Sequence, residues 1–243
     1  MAVVGIIGGS GLYELEGMEV KERLKVATPF GEPSGEYISG SLAGKKVVFL
    51  PRHGQGHCIS PTEINYRANI YGMKKLGIEY LISVSAVGSL KEDIRPLDIV
   101  LPDQFVDRTN QARKITFFEK GIVAHVSFSD PVCPVLRELL FKAAEETGAG
   151  VHRKGTYLNM EGPAFSTRAE SFLYRSWGMD IIGMTNMAEA RLAREAEICF
   201  ATVALVTDYD CWFEKEDVSE VSVGLVIENM KKNIARTKKI LTI

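Results

Sequence analysis

Positive charge is not in excess: Lys and Arg total 29 against 31 Asp and Glu, a formal net charge of -2. That balance excludes a general attraction to nucleic acid or to an anionic membrane, and it leaves small molecules as the expected partners. Long apolar runs are missing too. None approaches the ~20 residues of a membrane span, and Met1-Ala2-Val3-Val4 lacks the basic region of a signal peptide, so a cytoplasmic location is expected. Cysteine is scarce: Cys58, Cys133, Cys199 and Cys211 are scattered, with no close pair of the zinc-site type. Reduced, mostly buried thiols are expected, a Cys133–Cys199 disulfide being the alternative that a thermophile would allow. No internal repeat, low-complexity run or linker divides the 243 residues, so one domain over 1–243 is the simplest account.

What is present is an ordinary folding composition, 46% hydrophobic and 25% charged. Apolar runs at Val3–Ile7, Lys46–Leu50, Tyr80–Val84, Asp98–Leu101, Thr156–Met160, Asp180–Thr185 and Ala201–Val206 read as strands. Helical signals alternate with them. Ser60-Pro61-Thr62-Glu63 has the residues of a capped helix start, with the helix running to about Gly77 and Ile64, Ala68 and Tyr71 on its apolar stripe. Leu136, Leu139, Leu140 and Ala143 mark a second helix, ended by Gly148. A third runs from about Met187 to Glu197, and Val223, Val226, Ile227, Met230 and Ile234 stripe a terminal one. Residues 104–121 show no clean period and read as a functional loop or subunit contact. The alternation makes the chain an α/β protein.

Chemistry collects where the strands end. Gly8-Gly9-Ser10-Gly11 after the first strand exposes backbone amides and the Ser10 hydroxyl, a cradle for phosphate or simply a tight turn. Glu14 stands where the dinucleotide fingerprint needs a third glycine, which disfavours a nicotinamide cofactor. Arg52 and His53 offer a guanidinium fork and an imidazole donor to an anion, and Ser85 brings a hydroxyl to a third strand end. His53 and His57 are four apart, but glycines between them and the lack of a nearby carboxylate disfavour a metal. Thr167 and Glu170 have capping-box spacing, which sets Phe165 and Ser166 at a helix mouth, either to stack on a flat ligand or as plain core. His125 reads as a core or interface histidine. Asp208 and Asp210 close the last strand and would share one face if it continued. Two carboxyls in a poorly solvated pocket resist double ionisation, so one can act as a neutral acid; the plain alternative is a solvated turn.

The runs Gly5-Ile6-Ile7-Gly8-Gly9-Ser10-Gly11-Leu12, Arg52-His53-Gly54, Asn65-Tyr66-Arg67-Ala68-Asn69, Glu161-Gly162-Pro163 with Phe165-Ser166, and Thr207-Asp208-Tyr209-Asp210-Cys211-Trp212 together resemble the methylthioadenosine phosphorylase branch of the purine nucleoside phosphorylase family. The resemblance runs through nearly the whole chain. It implies a mixed, distorted sheet, a twisted barrel flanked by helices, and a homotrimer with sites at subunit interfaces. It places phosphate on Ser10, Arg52, His53, Ser85, Ala86 and Thr185, and the base on Phe165, Ser166, Asp208 and Asp210, with Met184 under the ribose. Val223, Val226 and Ile227 match the 5′-methylthio pocket, and His125 matches a residue reaching it from a neighbouring subunit. The implied reaction is phosphorolysis of methylthioadenosine to adenine and 5-methylthioribose 1-phosphate, a purine and methionine salvage step that needs inorganic phosphate but no organic cofactor. Asp208 would protonate N7, and Asp210 would accept from the 6-amino group. Relatives that act on 6-oxopurines carry Glu, Asn and an apolar residue where this chain has Ser166, Asp208 and Asp210, so the resemblance points to a 6-aminopurine. Two departures stand out: Ala188 replaces the usual Pro before Glu189, and the sequence stops at Ile243, short of the tail that closes the 5′ pocket in some relatives. Adenosine or methylthioinosine as substrate is the nearest alternative; purine binding without turnover is another, which phosphate-dependent adenine release would separate from catalysis.

Overall fold

The computed structural model describes residues 3–10, 12, 15, 17–110, 112–213 and 223–242, without the side chains of 223 and 225–227. In chain order the strands and helices are β1 (Val3–Gly8), β2 (Glu19–Leu24), β3 (Tyr37–Leu42), β4 (Lys45–Pro51), α1 (Tyr66–Lys75), β5 (Ile78–Ser89), β6 (Ile99–Val100), β7 (Gln104–Arg108), α2 (Pro134–Glu145), β8 (Val151–His152), β9 (Thr156–Met160), α3 (Arg168–Ser176), β10 (Ile181–Gly183), α4 (Asn186–Glu195), β11 (Cys199–Asp208) and α5 (Val223–Thr242).

All the described strands belong to one mixed sheet, ordered β2-β3-β4-β1-β5-β10-β9-β7, with β11 on β5 and β6 between β11 and β8. The expected α/β fold with a mixed, helix-flanked sheet is therefore observed. Phe200–Asp208 of β11 is buried at every position, as a near-continuous apolar run should be when helices cover both faces. Helices α2 and α5 pack on each other and on β11 over one face, while α1 and α4 pair over the other. Each face has its own core: Leu136, Leu140, Val203, Leu205 and Met230 on the first, Ile70, Met73, Leu192 and Phe200 on the second.

The feature that makes room for a ligand is β5. One of its edges pairs with β11 from Tyr80 to Gly88. The other pairs with β1 only as far as Ser83, and with β10 only at Gly88 and Ser89. Between those two partners the strand edge at residues 84–87 has no ladder among the described residues. The sequence predicts a strand ending at Val84; it continues to Ser89 because β10 takes up the edge that β1 leaves. A crevice at the carboxyl end of a parallel strand results, the usual place for a ligand in an open α/β sheet.

Three further expectations are corrected. Ser60 N and Oγ both donate to Glu63 Oε2, yet the two residues close only a turn. The helix starts at Tyr66 because Asn65 caps it, accepting from Ala68 N while donating to the Phe30 and Glu32 carbonyls. Leu139 is exposed rather than core. Cys133 and Cys199 are not reduced thiols but a disulfide, joining the N-cap of α2 to the first residue of β11. Closing a loop of that span, 66 residues apart in sequence, constrains the unfolded chain by about 4 kcal/mol in the loop-entropy account.

Candidate active site

The crevice is a cavity of about 550 Å³, within the range of small-molecule sites. Its lining brings together Ser10, Arg52, His53, Ser85, Ala86, Phe165, Met184, Thr185, Asp208 and Asp210 from six segments of the chain. Ser166 is not on the lining; its Oγ donates to Met160 Sδ at 3.7 Å, and its hydroxyl also opposes the rise of the Asp210 pKa. His125 is exposed and lines no part of the cavity of its own chain. Gly11 and the side chains of Val223, Val226 and Ile227 lie outside the described residues; from the same helix Met230, Lys231 and Ile234 reach the cavity.

The cationic end is built around Arg52, whose side chain is 1% exposed. Its Nε lies 2.8 Å from Glu189 Oε1, and Glu189 is 2% exposed. Nη2 donates to Ser83 Oγ at 2.6 Å and to the Ile7 carbonyl at 3.3 Å. Nη1 donates to Thr185 Oγ1 at 3.1 Å and to Ser85 Oγ at 3.4 Å, two hydroxyls on the cavity wall. Four of the five N–H groups of the guanidinium thus donate hydrogen bonds, while Nε faces Glu189 as an ion pair. Hydroxyls polarised from behind by a buried guanidinium are chemically suited to meet an anion. Glu189 in turn accepts from Ser83 and from Asn186 Nδ2, which makes the counter-ion a fixed part of the network. Local sequence patterns gave no sign of Ser83, Asn186 or Glu189, because their partners lie on other elements.

His53 is corrected from donor to acceptor. Its Nδ1 is 2.9 Å from the Ile59 carbonyl, which can only accept, so Nδ1 carries the proton and Nε2 the lone pair. Burial, then the Arg52 charge, then His57, lower its pKa to about 3, so the ring stays neutral at working pH. His57 stacks on it with ring centroids 4.3 Å apart.

At the other end β11 stops at Asp208, and Asp210 opens a 3₁₀ turn with φ of +53°, a conformation that Asp tolerates better than most residues. The two carboxylates therefore do not lie on one strand face as expected; the backbone folds back so that Asp210 N donates to Asp208 Oδ1 at 2.8 Å. Asp208 Oδ2 is 2.7 Å from Thr207 Oγ1, which also reaches the Val87 carbonyl at 3.2 Å. Burial raises the Asp208 pKa to about 6 against the Thr207 and Asp210 hydrogen bonds, with the Asp210 charge adding to the rise. Burial also raises Asp210, opposed by bonds from Ser171 and Ser166. Gly88 leaves room beneath them, since a Cβ there would sit 3.0 Å from Asp208 Oδ1 and press on the carboxylate. Between the two ends Phe165, Met160, Ile182 and Met184 give apolar walls suited to a flat ring and a sugar face.

One cavity thus joins a buried cation–hydroxyl cluster, an apolar slot and a carboxyl of raised pKa, an arrangement suited to a group-transfer enzyme. Residues 3–243 match the phosphorylase superfamily, and the chain belongs to it, within the S-methyl-5′-thioadenosine phosphorylase branch. It is 61% identical over 239 residues to the S-methyl-5′-thioadenosine phosphorylase of Geobacter sulfurreducens, covering 98% of this chain and 83% of that one. Among solved structures it superposes on a methylthioadenosine phosphorylase from an antarctic soil metagenomic library with TM-score 0.92 at 51% identity, covering 99% of this chain and 84% of the other. It also superposes on the Schistosoma mansoni methylthioadenosine phosphorylase in complex with adenine, with TM-score 0.95 at 37% identity, covering 100% and 90%.

Proposed function

We propose that the chain catalyses phosphorolysis of 5′-methylthioadenosine to adenine and 5-methylthioribose 1-phosphate, with inorganic phosphate as co-substrate and no organic cofactor. The observation that carries this is the opposition, across one cavity, of the Arg52–Ser85–Thr185 anion end and the raised carboxyl of Asp208. The C1′–N9 bond breaks with its electron pair going to the purine. A phosphate oxygen forms the new bond at C1′, and the Asp208 proton passes to N7. Charge builds on the ribose between an arriving anion and a departing purine, and fixed donors at both ends stabilise it without reorganisation. Asp210 receives the exocyclic amine, and Ser166 holds Asp210 in place.

The 5′-methylthio group is assigned to Val223, Val226 and Ile227, with His125 contributed by a neighbouring subunit of a homotrimer. Exposed Ile122 and Val123 beside His125, and exposed Phe172 and Leu173 on α3 with Trp177 at its C-cap, support two apolar surfaces that such an assembly would cover. No described helix is long and apolar enough to cross a membrane, and a cytoplasmic location accords with the reading.

The test is release of the free base, adenine from methylthioadenosine and adenosine and hypoxanthine from inosine and methylthioinosine, each with and without phosphate. Phosphate-dependent release fastest on methylthioadenosine is expected. Release without phosphate, or binding without release, would overturn the reading.

The acceptor face of His53 adds a selectivity. Inorganic phosphate keeps a proton at neutral pH and can donate it to Nε2, whereas sulfate has none and meets a lone pair. His53→Gln supplies an amide donor and should lower the sulfate inhibition constant relative to the phosphate KM by about 10-fold or more, the scale of one hydrogen bond to a charged group. An unchanged ratio would show that the imidazole does not discriminate between the anions.

A further inference from the structure

Residues 104–121 are unreadable in sequence, and the structure buries one of their side chains between the two halves of the site. Arg113 has a side chain only 1% exposed. Its Nε pairs with Glu161 Oε1 at 2.9 Å, and Nη2 donates to the Glu161 carbonyl at 2.6 Å. Nη1 donates to Tyr66 Oη at 3.1 Å and to the Met184 carbonyl. Arg113 is not on the cavity lining.

From the placement of these bonds, and on the reading of the site given above, we infer that Arg113 is a positioning residue that sets the spacing between the purine-stacking loop and the ribose floor. Glu161 lies four residues before Phe165, and Met184 directly precedes Thr185. One planar guanidinium therefore grips the backbone of both walls, a geometry that a lysine ammonium cannot reproduce. Glu161 is held from two more sides, by Thr62 Oγ1 on Oε1 and by Asn110 N on Oε2 at 2.9 Å. Burial would raise its carboxyl, but the bonds from Thr62, Asn110 and Arg113 outweigh burial and hold it below the usual range. The walls also touch directly. Gly162 has φ of +73°, and a Cβ there would collide with Met184 Sδ. Loss of the clasp frees the two walls to shift, while Arg52 keeps its bonds to Glu189, Ser83, Ser85 and the Ile7 carbonyl, none of which adjoins the clasp.

The consequence is a split between ligands. Arg113→Lys retains the buried charge opposite Glu161 but bridges fewer acceptors; adenine should bind about 10- to 100-fold more weakly, the cost of roughly an ångström of misplacement. Inorganic phosphate should bind within about 3-fold of wild type, since of its contacts only Thr185 adjoins the clasp and Arg52 and Ser85 do not. Calorimetric titration with adenine and, separately, with inorganic phosphate reads both without turnover. Thr62→Val, which removes one bond to Glu161 without touching the cation, should shift adenine in the same direction by about 3- to 10-fold, and it serves where Arg113→Lys fails to fold. Equal weakening of both ligands, or unaltered adenine binding in folded Thr62→Val and Arg113→Lys, would overturn the positioning role. Wild-type protein that does not bind adenine would instead overturn the reading of the site on which this rests.

Discussion

Arg52→Met is expected to lose about 3–5 kcal/mol of folding stability, because it leaves Glu189 as an uncompensated buried charge. In the fraction that folds, the phosphate KM should rise about 10- to 100-fold with a smaller change for the nucleoside, one charge-assisted contact having been removed. These losses have different causes and can be separated. The Arg52 side chain is 1% exposed and its carboxylate partner 2%, so the stability term belongs to the pair. Adding Glu189→Gln keeps an acceptor for Ser83 and Asn186 while discarding the stranded charge. The double variant should recover most of the stability in urea unfolding, yet bind phosphate no better than the single one. Recovery of phosphate affinity in the double variant would show that Arg52 serves only to neutralise Glu189; equal stability of the two variants would show that the pair is not what holds the network.

Which parts of this were legible in sequence follows from how local each signal is. Strands β1, β4, β5 and β11 were readable because burial on both faces leaves an apolar run. Strand β2, Glu-Val-Lys-Glu-Arg-Leu, has no such run: it lies at the sheet edge, almost wholly exposed, and is held by backbone pairing to β3. Charge on an edge strand is what discourages unwanted pairing, so the feature that protects it also hides it. Strand β3 was missed for another reason, since Ser39-Gly40-Ser41 breaks its hydrophobic pattern although most of it is buried.

The capping box at Ser60 shows a local signal overruled at a distance. Only half of it forms, Ser60 N and Oγ both donating to Glu63 Oε2, and Asn65 ties the chain to Phe30 and Glu32 and so fixes the true helix start. The same limit applies in the site. Ser10, Arg52, Ser85 and Asp208 could be found because each closes a recognisable strand. Glu189, Ser83, Asn186 and Arg113 could not, because each acquires its role from a partner on another element. The His53 donor role was misassigned for the same reason, as the Ile59 carbonyl that fixes its tautomer lies across a turn that no pattern reveals.

The last expected result concerns Asp208→Asn, which should become more stable while losing activity. Burial raises the pKa of Asp208 from 3.8 to about 6. Folded protein therefore keeps this proton between about pH 4 and 6, where the unfolded chain releases it. The stability it contributes is complete below about pH 4 and is lost as pH rises through about 6, some 2–3 kcal/mol in all. Asparagine never ionises, so at pH 8 the variant should be more stable than wild type by about 2 kcal/mol, with the difference vanishing near pH 4. Its carbonyl can still accept from Asp210 N, and its amide can donate to Thr207, whose own proton then goes to Val87. Activity should move the other way. Without a transferable proton, kcat/KM on methylthioadenosine should fall about 10²- to 10⁴-fold, the scale of general acid catalysis. Wild type should also lose kcat/KM as pH rises through about 6, a limb absent from the variant. Methylthioinosine should suffer less, because its 6-oxo group can accept from the new amide and its purine leaves with less need of protonation. Urea unfolding at pH 4 and 8, with kcat/KM for both nucleosides at saturating phosphate, tests the two halves together. A variant less stable than wild type at pH 8 would mean that the carboxyl is not held as a strained anion there, and equal loss on both nucleosides would mean that Asp208 does not discriminate the base.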